Sequence, residues 1–296
     1  MNHDCPDIAV DRPYLVPLRT ADAGPLLFCF PGSGGNVSVF IQMVASMPAG
    51  ISVNAIDMDK LCEGRNNFTV EQLAIFCLQI VQGIQQHGPY YFCGYSFGGL
   101  VAFEMATRLL DQGDEVALLA LLDAPNPMRL ANLSSADSVQ LRKIYLIDRV
   151  KKYGRNLVRG DIGAFMGDAA AYIIPRAGRF FWPLIKLTFR IINHPMPRKL
   201  RDNDPAFLKA WWAFTPRSYA KRLVLFRSES RGPEYNGDVT MGWGTCASGG
   251  IDVHIIPGGH GDMMNRPYVK DLADKLSAYL LDGVAADSRI NRIGLR

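Results

Sequence analysis

The sequence predicts an α/β fold: a mostly parallel central sheet with helices on both faces, and an inserted helical lid after the sixth strand. Three observations carry this expectation. Short apolar runs of strand composition alternate with longer helical patterns, the rhythm of βαβ units. Several of these runs are apolar at nearly every position, as strands covered on both faces are. The rhythm stops at residue 128 and resumes only at Leu223.

In chain order, residues 14–18 read as an edge strand, and Leu26–Phe30 as a buried strand that stops at Pro31. Gly32-Ser33-Gly34-Gly35-Asn36 follows, then an apolar helix through Phe40, Met43 and Val44. No Gly-Lys-Ser/Thr accompanies this loop, and Val37 stands where a G-x-G-x-x-G needs glycine, which argues against a nucleotide site. Residues 51–57 make a third strand. A helix over 69–86 has Thr69 as N-cap and Glu71-Gln72 in its first turn. Residues 90–93 form a buried strand, and the helix beyond it carries Val101, Met105, Leu109 and Leu110 on one face.

Val116–Leu122 is a continuous apolar run that ends at Asp123-Ala124-Pro125-Asn126-Pro127, where two prolines stop the sheet. Residues 134–214 are helical and basic. Strands at 223–226 and 251–256 and a helix over 267–281 complete the pattern, with the residues after Asp282 expected to fray. The expected organisation is a core of residues 1–127 and 219–284, a helical lid of residues 128–218, and a C-terminal tail of residues 285–296.

The 296 residues are 48% hydrophobic and 20% charged, which suits a globular protein with a sizeable core. Six cysteines include no C-x-x-C pair, and Cys29 and Cys93 fall inside buried strands as small hydrophobes. Residues 1–12 carry three aspartates and no apolar signal segment, and no apolar run is long enough to span a bilayer. These features point to a cytoplasmic protein with reduced thiols.

The chemistry centres on Gly94-Tyr95-Ser96-Phe97-Gly98, a G-x-S-x-G pentapeptide with a strand before it and a helix after it. That is the context a nucleophile elbow requires, with Ser96 as nucleophile. A Cβ at position 94 or 98 would crowd the neighbouring strand and helix. A serine needs a base, and the base an orienting carboxylate. Of five histidines, His260 lies in Pro257-Gly258-Gly259-His260-Gly261-Asp262, just past the last strand. Ligand sites of open parallel sheets lie at that carboxyl edge. His3, His87, His194 and His254 lack such a position.

Two carboxylates compete for the third role: Asp123, directly after an apolar strand, and Glu229, after the strand at 223–226. Asp262 and Asp57 are weaker candidates. Asp123 is favoured, because a carboxylate abutting seven apolar residues is costly to bury without a partner. The candidate catalytic set is Ser96, Asp123 and His260. The backbone N–H groups of Phe97 and Ser33 are the candidate oxyanion hole.

Together with Phe28-Cys29-Phe30-Pro31-Gly32-Ser33-Gly34-Gly35, Leu121-Leu122-Asp123-Ala124-Pro125, Gly242-Trp243 and Pro257-Gly258-Gly259-His260, the pentapeptide makes the sequence resemble the type I thioesterase domains of non-ribosomal peptide and polyketide synthases. These are members of the α/β-hydrolase superfamily. The resemblance runs from Leu15 to about Leu281. It implies a triad of Ser96, Asp123 and His260 and an oxyanion amide at Ser33. The editing thioesterases of such systems show a histidine where this chain has Gly32, so the likeness is to the product-releasing branch.

The activity implied is transfer of an acyl or peptidyl chain from a carrier's phosphopantetheine thioester onto Ser96, then release by hydrolysis or cyclisation. The alternatives are an acyltransferase passing the acyl group to an external alcohol or amine, and a non-catalytic acyl-binding module. No cofactor or metal bound by the chain itself is implied. Such domains usually end a longer chain behind a carrier domain. This chain begins at Met1 and has no Gly-x-Asp-Ser carrier motif, so an excised domain or action in trans is expected.

Charge is unevenly spread. Residues 142–201 hold fourteen Lys/Arg against three Asp, a net +11 in a chain whose total is +4. A solvated helical face is the simplest reading of such a run. The favoured functional reading is docking of an acidic acyl or peptidyl carrier protein at the basic lid. Contact of residues 180–187 with an anionic membrane is less favoured, and nucleic acid least, since no recognition motif accompanies the charge.

Overall fold

The computed structural model describes residues 13–33, 35–63, 67–128, 204–230 and 238–293. All of them belong to one of the two compact units into which the chain divides. Seven strands form one sheet: β1 (Leu15–Arg19), β2 (Leu26–Phe30), β3 (Ser52–Ile56), β4 (Tyr90–Tyr95), β5 (Val116–Leu122), β6 (Leu223–Ser228) and β7 (Ile251–Ile256). Their order is β1-β3-β2-β4-β5-β6-β7. Every neighbouring pair is parallel except β1 with β3. The strand ending at Leu122 was expected to be the sixth; it is the fifth of the described strands, because only four precede it.

The apolar runs follow from cover on both faces. In β5, Leu119 and Leu121 enter one core while Leu118, Ala120 and Leu122 enter the other. The same alternation sends Phe28 and Phe30 of β2 to the first core, and Leu27 and Cys29 to the second. The first core is roofed by α3 (Val70–Gln82), α4 (Phe97–Asp111) and α5 (Asp204–Ala213). The second lies under α1 (Ile41–Ser46) and α6 (Val269–Ile293). A short α2 (Met58–Leu61) follows β3, capped by the Asp57 side chain. Each fully buried Leu or Phe contributes roughly 1.5–3 kcal/mol of burial free energy.

Helix boundaries follow local chemistry. Thr69 and Gln72 form a reciprocal capping box at the start of α3. The helix ends at Gln82, short of the expected residue 86. The apolar helix after the glycine loop opens as a 3-10 turn, Val37–Phe40, before α1. Past Asp282, where fraying was expected, α6 continues to Ile293. Its one glycine there, Gly283, costs only about 1 kcal/mol inside a helix, and no proline follows to break it.

Within the expected lid, α5 is described and packs on the core. Phe207 is 1% exposed and sits edge-on to Phe68 and Phe97 at 5.0 and 4.9 Å between ring centroids. Residues 129–203, and with them the basic segment 142–201, lie outside the described residues. No described helix is long and apolar enough to cross a membrane.

Candidate active site

The elbow between β4 and α4 carries Ser96. Its backbone sits at φ 53°, ψ −119°, a conformation that non-glycine residues seldom hold unless the surroundings impose it. The surroundings do so at two glycines. A Cβ on Gly94 would lie 2.4 Å from the Gly98 carbonyl oxygen, and one on Gly98 would lie 2.1 Å from the Phe30 carbonyl oxygen. Only bare backbone fits at either place, so β4 can turn directly into α4. The Ser96 N–H donates to the Leu122 carbonyl at 2.9 Å, which ties the elbow to the end of β5.

Asp123 is the next residue after that tie. It is fully buried, with φ 47°, a left-handed conformation that aspartate tolerates better than most residues. Its N–H donates to the Phe226 carbonyl at 2.7 Å. Its carboxylate accepts from the Ser228 N–H and the Ser228 hydroxyl, both at 2.9 Å, and lies 2.6 Å from His260 Nδ1. Three neighbouring groups thus offset the desolvation of the buried carboxylate.

His260 is 39% exposed on its side chain and sits in the glycine loop beyond β7. Tyr95, the residue before Ser96, meets it twice. The Tyr95 hydroxyl donates to the His260 carbonyl at 2.8 Å, and the two rings stack at 4.9 Å with planes 15° apart. The loop is tied down further: Gln42 of α1 contacts the Asn265 side chain and accepts from the Arg266 N–H.

The structure therefore brings Asp123 and His260 into direct contact and places Ser96 on the same carboxyl edge of the sheet. Of the proposed oxyanion residues, Phe97 opens α4, so its N–H is among the four that a helix leaves without an intrahelical acceptor. Ser33 follows Gly32, whose own Cβ, were there one, would stand 3.2 Å from Ser96 Cβ. The glycine loop after β2 thus lies against the elbow.

The competing residues stand apart from this contact. Glu229 is exposed beyond β6. Asp57 accepts from the Lys60 N–H, and Asp262 from the Gly259 N–H. His254 is bonded to the Tyr279 hydroxyl at 2.8 Å, and burial, followed by Lys275, pushes its pKa down. His87 is exposed beside Asp114, while His3 and His194 lie outside the described residues. Among the described residues no group of His, Cys, Asp and Glu is arranged to hold a metal ion.

Sequence reasoning missed the supports. Ser228 grips Asp123 from a strand 105 residues away. Trp243 is fully buried, and its indole N–H donates to the Ala124 carbonyl at 2.7 Å. Asn126 bonds the Met241 and Gly242 carbonyls. The loop containing Gly242-Trp243 thus clamps the turn that carries Asp123. A serine ending a buried strand, and a tryptophan followed by glycine, were visible in the sequence, but their partners were not.

The Thioesterase domain family matches residues 25–280. Among curated relatives, malpibaldin synthetase of Mortierella alpina is 29% identical over 254 residues, covering 84% of this chain and 4% of the synthetase. A non-reducing polyketide synthase of Pseudevernia furfuracea is 24% identical over 275 residues, covering 86% of this chain and 12% of the synthase. The chain thus spans only a small fraction of the length of these relatives. Among solved structures, the NocB thioesterase domain in covalent complex with a fluorophosphonate nocardicin G analog superposes with a TM-score of 0.60 at 20% identity, covering 90% of this chain and 99% of that one. The Vlm2 thioesterase domain bound with a dodecadepsipeptide gives 0.58 at 21% identity, covering 91% and 99%. The fold is that of these α/β-hydrolase domains, and from the match over residues 25–280 the chain belongs to the Thioesterase domain family.

Proposed function

We propose that this chain releases the product of a non-ribosomal peptide or polyketide synthetase by serine-based acyl transfer. The observation that carries the reading is the convergence at one sheet edge. Ser96, on its strained elbow, is bonded through its backbone to Leu122, and the next residue, Asp123, holds His260 at 2.6 Å. Membership of the thioesterase family and likeness to segments of synthetases support the substrate class.

In this mechanism the Ser96 hydroxyl oxygen attacks the thioester carbonyl carbon while His260 Nε2 takes its proton. Asp123 fixes the imidazole tautomer through Nδ1 and stabilises the imidazolium. The N–H groups of Phe97 and Ser33 hold the oxyanion, and each such donor is worth about a hundredfold or more in rate. As the tetrahedral intermediate collapses, the C–S bond breaks and the proton on His260 passes to the departing phosphopantetheine thiol. His260 then takes a proton from water, or from a nucleophile of the acyl chain itself, as that group attacks the ester; the bond from the acyl carbon to Ser96 Oγ breaks, and His260 returns the proton to the serine. An acidic carrier protein, attracted by the basic segment 142–201, presents the substrate in a cytoplasmic setting.

The test is to load one acyl group on a carrier's phosphopantetheine and, separately, on a small thiol, and to identify the products. A free acid indicates hydrolysis, a ring cyclisation, and an ester or amide with an added acceptor indicates transfer. Reversing several arginines of 142–201 lowers kcat/KM for the carrier-bound substrate alone. Equal losses on both substrates count against docking, and no thioester cleavage on either overturns the reading.

A further inference from the structure

We propose that Tyr95 is the positioning residue for His260: its ring sets the plane of the imidazole and its hydroxyl pins the backbone that carries it. The inference rests on the reading of Ser96 as nucleophile and His260 as base. It adds a second constraint, independent of Asp123, on the orientation of that base.

The Asp123 contact fixes one atom of the ring. With Nδ1 held at 2.6 Å from Oδ2, the imidazole can still tilt about that contact, and the glycines of Gly258-Gly259-His260-Gly261 give its loop few side chains to brace it. Tyr95 limits both freedoms. Its ring lies against the imidazole at 4.9 Å and 15°, an offset-stacked geometry. Its hydroxyl donates at 2.8 Å to the carbonyl of His260 itself, so one side chain holds both the ring and the main chain of one residue.

Tyr95 is held in turn. A Cβ on Gly32 would stand 3.4 Å from its Cδ1, so the glycine loop after β2 lies close against the ring. Being adjacent to Ser96 in sequence, Tyr95 joins three parts of the site: the elbow, the loop of Ser33 and the loop of His260. Phenylalanine supplies the ring without the pin, and leucine supplies neither.

The experiment measures the rate of Ser96 modification by an alkyl fluorophosphonate against probe concentration, read by intact mass, in the full chain. Such a probe needs no knowledge of the natural acyl group. Tyr95→Phe is expected to lower the maximal labelling rate about fivefold, the effect of one lost hydrogen bond, with the half-saturating probe concentration unchanged. Tyr95→Leu is expected to lower that rate further, because the stacked ring is lost as well. Tyr95→Trp, which restores a ring without the hydroxyl, is expected to label at the Tyr95→Phe rate and carries the test if the leucine variant does not fold. Wild-type maximal rates in the Phe and Leu variants, or in Phe and Trp if Leu cannot be made, overturn the proposal, as does a loss carried wholly by the half-saturating concentration. Absence of label on wild-type Ser96 overturns the underlying serine reading instead, and this inference with it.

Discussion

His260 Nδ1 lies 2.6 Å from Asp123 Oδ2, a contact that joins residues 137 positions apart and commits the second ring nitrogen, Nε2, to any proton exchange with Ser96. The buried carboxylate holds that tautomer only while it stays charged. Asp123→Asn is therefore expected to lower turnover of a thioester by on the order of 10⁴-fold, the effect of losing the orienting carboxylate in a serine triad. A steady-state assay checks it, and a loss below tenfold contradicts the assignment of Asp123 as the orienting acid.

Ser228 supplies two of the donors that meet that carboxylate, one from its backbone and one from its hydroxyl. Ser228→Ala keeps the first and removes the second. Hydrogen bonds to charged groups are worth about 1.5–3 kcal/mol, so kcat should fall by roughly tenfold or more while KM for a small thioester stays close to wild type. Ser228→Thr, which restores a hydroxyl, should recover part of the loss.

The elbow tolerates no side chain at Gly98, where a Cβ would meet the Phe30 and Pro31 carbonyl oxygens at 2.1 and 2.5 Å. Because these neighbours are backbone, the strain cannot be relieved by a rotamer change. Gly98→Ala should cost about 1–3 kcal/mol or more of stability and displace Ser96. Thermal unfolding reads the first effect and fluorophosphonate labelling the second.

His254 stacks on Phe226 and bonds to the Tyr279 hydroxyl, and burial holds its pKa below 6.5. The unfolded chain then binds a proton more readily than the folded one. Stability present above pH 6.5 therefore declines as the pH falls from 6.5 through the lowered value, and flattens below it. Thermal midpoints of wild type and His254→Gln, taken from pH 7.5 to 4.5, should converge as the pH falls if His254 contributes this component. A constant difference between the two contradicts it.

Much of this was legible in the sequence because burial leaves a direct trace. β5 spans Val116–Leu122, as its apolar run reads, because both faces of that strand are covered. Ser96, Asp123 and His260 each follow the carboxyl end of a strand, so the strands themselves mark the edge they share. The supports could not be read. The contact of Tyr95 with His260 crosses 165 residues, and that of Ser228 with Asp123 crosses 105. Only the pairing of β5 with β6 and the path of the glycine loop bring them together. α6 runs past the point where fraying was expected because its one glycine there, Gly283, costs only about 1 kcal/mol in a helix interior and no proline follows.

The most direct measurement is intact-mass spectrometry after mixing the chain with a panel of acyl thioesters, beside a Ser96→Ala variant. The expected result is a mass increase equal to the acyl group on the wild type alone, located by peptide mapping at Ser96, and its loss with time as product appears. An adduct of equal yield on Ser96→Ala, or turnover that survives the substitution, would contradict the central claim that Ser96 carries the acyl group.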